Sequence, residues 1–588
     1  MNTSAIFHRS TDNFCYALNK NDIVINIKTD YDIKEVILCH GDPFSAGIMG
    51  GNDRFKYLKS RFTDRKRLKD HLFWSITVTP EFKRLAYFFI LTDFDGNTFY
   101  LLEDNFYTPD EFKSYRGRYQ YFYLPWMNPA DIFETPGWVN RTIWYQIFID
   151  RFCNGNPELN PRDVKPWGDA KKTVRYSDYY GGDLPGITSK LDYLAELGIT
   201  GLYLTPVCKG RSNHKYDTAS YSRIDPHFGT DQDMITLVST AHKHGIKIMM
   251  DGVFNHSGAL FKPWKDVLKN GPESRYFNWF IINKWPFQSC TPFNTNAKSG
   301  YYYTFGFFDD MPKLNTNNPE VIRYILKICK SWITKYDIDG LRLDVAGEIS
   351  HVLCKALRRE LKSLKPDFYI IGELWHDSTP WLRGDEYDAV MNYPFQDSIN
   401  DFWMDSRKTS VDLEYAINRC YSLYMKQVND VLFNLLDSHD TMRLATRLKN
   451  ISRFYQQLVI LFTMPGTVCI YYGTEIAMEG GGDPDCRRCM PWTDIENGVY
   501  ADRISTIKSL ISIRKSLPAA RSDNYRFNII ENEPRILSYT KYDDNGNALH
   551  IILNCSDNDY PFESPGKKII FAKFYKNYII KPNGFLIY

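Results

Sequence analysis

The sequence predicts an α/β protein: a (β/α)₈ barrel with a small domain inserted after its third strand, an N-terminal β-sandwich before it and a C-terminal β-sandwich after it. Three observations predict this. Between about residues 140 and 510, apolar runs of strand length alternate with helical patterns eight times. Those runs are apolar throughout, so both their faces are buried, which favours parallel strands covered by helices. Before and after that stretch the texture changes to short strands joined by hairpin signals.

At 588 residues the chain exceeds one core and divides into several domains. Residues 1–130 read as all-β, with strands at 22–28, 34–39, 72–78, 85–93 and 98–103. Asp95-Gly96 between the last two is a hairpin turn signal. The Pro- and Trp-containing segment 125–138 is the linker. The barrel is expected over 131–510, with strands at 142–149, 201–205, 246–251, 340–344, 369–373, 389–392, 432–437 and 468–472. Helix 188–197 carries Ile187, Leu191 and Leu194 on one face and stops at Gly198, and helix 233–243 stops at Gly245. Nearly ninety residues separate the third and fourth strands, far more than one loop and helix need. Within them, 257–311 is rich in Trp, Tyr, Phe and Asn and is expected to form the inserted domain over the barrel mouth. Residues 511–588 return to β texture, with strands at 535–542, 548–553 and 567–574 and an Asn545-Gly546 turn.

Composition excludes several function classes. Lys and Arg total 72 against 70 Asp and Glu, so the formal charge of +2 offers no field for nucleic acid or an anionic membrane. No run approaches the ~18 apolar residues of a membrane helix. The first twenty residues contain His8, Arg9, Asp12 and Lys20 with no apolar run between them, which is no secretory signal. The 12 Cys are scattered, and Cys486-x-x-Cys489 has no second pair to complete a zinc site. They read as reduced thiols of a cytoplasmic protein. Aromatics at 16% leave a surplus of Tyr and Trp suited to flat, partly wet ligands.

In such a barrel the chemistry sits at the C-terminal strand ends. The third strand ends in Asp251-Gly-Val-Phe-Asn255-His256, the fourth delivers Arg342 and Asp344, the fifth Glu373-Leu-Trp375, and the seventh Asp437-Ser-His439-Asp440. Convergent carboxylates serve either metal binding or glycoside cleavage. No Lys base occupies these ends, whereas His256 and His439 can bond sugar hydroxyls. Arg342, two residues before Asp344 on the same strand face, is expected to keep it ionised. Glu373 has Leu374 and Trp375 beside it and no evident cation, so it is expected to hold a proton and donate it. Asp251 orients Arg342. A single Asp at a strand end is commonly a helix cap; four charged ends in one register are not explained that way.

At these residues the sequence resembles the α-amylase family of glycoside hydrolases, through 251–256, Gly340-Leu-Arg-Leu-Asp-Val-Ala346, Gly372-Glu-Leu374 and His439-Asp440. The resemblance implies retaining hydrolysis, with Asp344 as nucleophile, Glu373 as general acid/base and Asp440 binding hydroxyls and stabilising the transition state. It implies that His214, Tyr216, His256, Arg342, Trp375 and His439 bind substrate, with Asn255 in support. Met311-Pro-Lys-Leu-Asn315, Glu373-Leu-Trp-His376-Asp377 and Asp483-Pro-Asp-Cys-Arg-Arg488 are similar to the neopullulanase, cyclomaltodextrinase and maltogenic amylase subgroup. That subgroup implies cyclodextrins, pullulan and short maltodextrins as substrates and a homodimer through the N-terminal domain. It also implies a structural Ca²⁺ held by Asn154, Asn156, Asn160, Gly181 and Asp183, although 153–161 reads equally as an Asn/Gly/Pro turn. Leu341, Gly347 and Ser220 depart from the subgroup's Trp, Asn and Asp, which leaves open the balance between hydrolysis and transglycosylation. A catalytically dead glucan-binding protein is the reading from another class; all three carboxylates being present speaks against it.

Overall fold

The computed structural model describes residues 1–46, 56–114, 120–168, 172–288, 295–564 and 566–588. They form two compact units. The first holds Met1–Glu134 with Leu382–Gly384 and Ser406–Asn429. Its strands make two antiparallel sheets, one of four strands centred on Ile23–Thr29 and Leu72–Val78, the other of six centred on Ile33–Gly41 and Leu85–Asp93. Alternate residues of both sheets, among them Ile25, Ile27, Val36, Leu38, Trp74, Tyr87 and Phe89, meet in one buried cluster. The hairpin at Asp95-Gly96 forms because Gly96 takes φ +88° while the Asp93 carboxylate accepts the Asp95 and Asn97 amides. Helix Ser410–Ser422, which lies in the sequence range expected for the barrel, packs in this unit: Asn418 donates to the Arg67 carbonyl at 2.9 Å.

The second unit contains the barrel. Strands Ile143–Ile147, Gly201–Leu204, Lys247–Gly252, Gly340–Leu343, Tyr369–Gly372, Ala389–Val390, Phe433–Asn434 and Thr467–Tyr471 pair in parallel as one eight-stranded sheet. A parallel bridge from Met391 to Phe433 closes the ring. The sixth and seventh strands are much shorter than the apolar runs that encode them. Beyond their paired residues the chain turns away from the sheet, as where the Asn392 side chain caps helix Tyr393–Met404. The first strand stops at Ile147, because Asp150 and Arg151 turn inward to bond each other at 2.6 Å.

The covering helices show why they start and stop. The single helix expected over 188–197 is two, Leu184–Ser189 and Leu191–Leu197, broken at Lys190. Asp183 caps the first, and Gly198 at φ +98° ends the second. Helix Asp231–Lys243 starts two residues earlier than expected, because Thr230 and Asp233 form a capping box. At the N-terminal rim, Asp339 accepts from His242 Nε2 at 2.7 Å, Lys247 and Lys365 Nζ at 2.9 Å each and the Ile248 amide at 3.0 Å.

Between the third and fourth strands, Trp264 of helix Lys262–Asn270 packs edge-on against Phe280 and Tyr302 at 4.8 and 4.9 Å. The C-terminal residues form a six-stranded antiparallel sheet with Ile536, Ile552, Ile580 and Leu586 buried together. Among the described residues no helix is long and apolar enough to cross a membrane. Eleven cysteines, including Cys486 and Cys489, form no disulfide among the described residues; Cys290 lies outside them.

Candidate active site

A cavity of about 850 Å³ opens where the barrel strands end, lined by Asp344, Glu373, Asp440, His214, Tyr216, His256, Trp375 and His439. Arg342, fully buried on the fourth strand, organises it. Its Nη1 donates to both Asp251 oxygens at 2.9 Å and to Asp344 Oδ1 at 2.8 Å. Its Nη2 lies 2.9 Å from Glu373 Oε2. Three carboxylates therefore share one guanidinium.

This corrects one expectation. Glu373 does have a cationic neighbour, which the sequence hides because the two residues stand on adjacent strands rather than near each other in the chain. Arg342 touches both carboxylates and so does not by itself divide their roles. A second expectation is corrected too, that Arg342 keeps Asp344 ionised: burial pushes the Asp344 carboxyl well above its usual range, Arg342 opposes that without overcoming it, and the Glu373 and Asp251 charges push the same way as burial. Glu373 also accepts the Val345 amide at 2.9 Å and the Trp375 indole at 3.2 Å. Val345 reaches it from a left-handed conformation (φ +46°), a strained one for a β-branched residue. Trp375 is held flat against Tyr393 at 3.6 Å.

The remaining residues complete a polar wall. Asp251 Oδ2 also accepts from Tyr203 at 2.7 Å and Tyr216 at 3.0 Å. Tyr216 lies parallel to His439, with its hydroxyl 2.6 Å from Nε2. Asp440 is held by His439 Nε2 at 3.2 Å and Arg487 Nη2 at 3.4 Å. His256 stacks on Phe305, and its buried Nε2 has no hydrogen-bond partner among the described residues. Burial lowers His256 to about 3, His214 to about 4 and His439 well below its usual value, so all three are neutral donors and acceptors. Asn255 accepts from Lys313, which also reaches Glu348 at 2.6 Å.

Sequence reasoning assigned no role to Gln146, Lys313 or Arg487. A lone Gln among Trp144, Tyr145, Ile147 and Phe148, and the i,i+4 pair Asp483–Arg487 at 2.9 Å, were the available signals.

The five residues expected around Ca²⁺ do come together. Asn154 Nδ2 donates to Asn160 Oδ1 at 3.0 Å, and an added Cβ on Gly181 would fall 2.1 Å from that same oxygen. Asn154 Oδ1 is buried without a partner. Asp183 accepts the Gly155, Asn156 and Gly186 amides, and Asn156 Oδ1 accepts the Glu158 amide. Asn154 Oδ1 and the single carboxylate, Asp183, are the side-chain oxygens here best suited to a hard cation.

Two-carboxylate chemistry at the mouth of a (β/α)₈ barrel, walled by neutral His and stacked aromatic rings, defines a glycoside hydrolase. The chain belongs to the α-amylase family: the family's catalytic domain matches residues 146–515 and its N-terminal Ig-like domain matches residues 1–125. It is 42% identical to a cyclomaltodextrinase of Geobacillus thermopakistaniensis (strain MAS1), over 97% of this chain and 95% of that one. It is 40% identical to the intracellular maltogenic amylase of Bacillus subtilis, over 92% and 89%. A solved cyclomaltodextrinase structure superposes with TM-score 0.88 at 35% identity, covering 100% of this chain and 98% of that one.

Proposed function

We propose that this enzyme hydrolyses α-1,4-glucosidic bonds, and α-1,6 bonds where they fit, in cyclodextrins, pullulan and maltodextrins by double displacement with retention. The observation that carries this reading is Asp344 and Glu373 bound to opposite nitrogens of one buried guanidinium, both facing the same cavity. Retaining enzymes keep their two carboxyls ~5–5.5 Å apart, a spacing that a shared guanidinium favours.

Three carboxylates around a single cation cannot all stay ionised cheaply, so the cluster retains a proton. In the substrate complex Glu373 acts as the acid that delivers a proton to the glycosidic oxygen as that bond breaks. Asp344 attacks the anomeric carbon and forms a glycosyl ester. Glu373, now a carboxylate, takes a proton from water, and the resulting hydroxide displaces Asp344. Asp440 and His439 bond the sugar hydroxyls, His256 Nε2 bonds another, and Tyr216 stacks beneath the ring. Trp375 and His214 line the cavity on either side. Incubation with β-cyclodextrin, pullulan and maltotriose tests this; cleavage of none of them between pH 5 and 8 would refute it. Transfer to a sugar acceptor would use the same ester, and products at high maltose separate the two outcomes.

Further properties are proposed with it. The matched N-terminal Ig-like domain supports a homodimer through residues 1–130, which sedimentation tests. The free thiols and the intracellular relative support a cytoplasmic location. Domain limits of 1–130, 131–510 with the insert 257–311, and 511–588 follow the changes of strand texture. Ca²⁺ held by Asn154, Asn156, Asn160, Gly181 and Asp183 would brace the turn after the first barrel strand; a Tm unchanged by chelator and by added Ca²⁺ would refute it.

A further inference from the structure

The buried polar groups behind the cavity form a chain whose hydrogens can be placed one by one. Arg342 offers only N–H groups, so Asp251 accepts from it. Asp251 therefore also accepts the Tyr216 hydroxyl proton at 3.0 Å. With its own proton committed, the Tyr216 oxygen must accept from His439 Nε2, 2.6 Å away. Asp440 Oδ2, 3.2 Å from the same nitrogen, makes the same demand, since a carboxylate only accepts. Nε2 thus bears the hydrogen. His439 is buried and neutral, so Nδ1 is left as a bare acceptor. The side-chain amide nitrogen of Gln146, at the end of the first barrel strand, lies 2.6 Å from it.

We propose that Gln146 is a positioning residue: by donating from Nε2 to His439 Nδ1 it fixes the imidazole in its Nε2–H tautomer, aimed at Tyr216 and Asp440. Gln146 is buried, does not line the cavity, and its Oε1 makes no hydrogen bond among the described residues, so packing alone does not call for an amide there. An aliphatic side chain would fill the space without setting the tautomer. The tautomer assignment stands on the hydrogen-bond geometry and on the burial that keeps His439 neutral; its effect on rate rests on the reading of the cavity as a sugar site.

The test uses the full-length protein labelled with ¹⁵N at histidine, with His439→Gln to assign the resonance. Long-range ¹H–¹⁵N correlation of the wild type is expected to show Nε2 protonated and Nδ1 bare from pH 6 to 8; a protonated Nδ1 overturns the proposal. Gln146→Glu is isosteric but presents acceptors only, so Nδ1 should gain the hydrogen. The outward N–H is then lost, and kcat/KM should fall on the order of 10²- to 10⁴-fold, as when a catalytic imidazole is held in the wrong tautomer. Gln146→Met removes the donor without reversing it and should cost about tenfold. Gln146→Glu matching or exceeding Gln146→Met in activity overturns the proposal. If Gln146→Glu does not fold, the Gln146→Met spectrum decides it: partial protonation of Nδ1 supports the proposal, and Nε2 as fully protonated as in the wild type overturns it. Inactivity of the wild type on every glucan would remove the sugar-site reading, yet the nitrogen shifts would still decide this one.

Discussion

Replacing Arg342 by Met removes a charge that touches Asp251, Asp344 and Glu373 together. The guanidinium is fully buried, and so are the Asp251 and Asp344 carboxylates to within a tenth of their surface. At an effective dielectric of about 20, each close pair is worth roughly 4 kcal/mol of attraction. Most of that is cancelled by the cost of burying the charges, but a cation removed from a buried pair leaves its partners uncompensated, at about 3–5 kcal/mol. The orphaned carboxyls escape part of this by binding protons. Burial already raises Asp251 and Asp344, and loss of Arg342 raises them further. An acid whose folded pKa is raised destabilises the fold as pH rises through that value and not below its unfolded pKa. The deficit of Arg342→Met relative to wild type should therefore be largest at pH 8 and shrink toward pH 5, and activity should be lost throughout. Urea unfolding followed by tryptophan fluorescence at several pH values measures this. A deficit that is absent, or independent of pH, would refute the view that three buried acids depend on one cation.

Other outcomes follow from the same structure. Asp344→Asn should lower kcat roughly 10⁴-fold or more while calorimetry shows maltodextrin still bound within tenfold of wild type. Burial opposes ionisation of Asp339, yet His242, the Ile248 amide, Lys365 and Lys247 together hold its carboxyl well below the usual range. That stability is present above its unfolded value near 3.9 and lost as pH falls further, so Asp339→Asn should cost about 2–3 kcal/mol at pH 7 and much less at pH 3 in thermal melts. Gly181→Ala forces a Cβ against Asn160 Oδ1 at φ +81° and should lower Tm by several degrees. An unchanged Tm would mean that the turn relaxes freely.

Local signals carried much of this enzyme. The eight barrel runs, the hairpins at Gly96 and Gly546 and the helix stops at Gly198 and Gly245 each depend on residues a few positions apart, and such residues can be read in order. What stayed hidden depends on neighbours set by the ring. Arg342 meets Glu373 because the fourth and fifth strands pair Arg342 with Ile371, and no spacing within either strand announces it. Gln146 meets His439 only because the ring closes through the eighth strand, 293 positions along the chain. The sixth and seventh strands read as four to six residues from their apolar content, yet only 389–391 and Phe433–Asn434 pair, since apolarity records burial and not hydrogen bonding.

That shortness has an outcome for how the enzyme fails on warming. A cylinder of staves parts at its weakest joint, and here the joint between 389–391 and 433–434 is stitched by one backbone bridge and the Asn392–Asn434 amide contact at 2.8 Å. Slippage there would carry off the stave that ends in His439 and Asp440 while the other staves stay bonded. Grip on sugar should thus fade before the bulk of the fold melts.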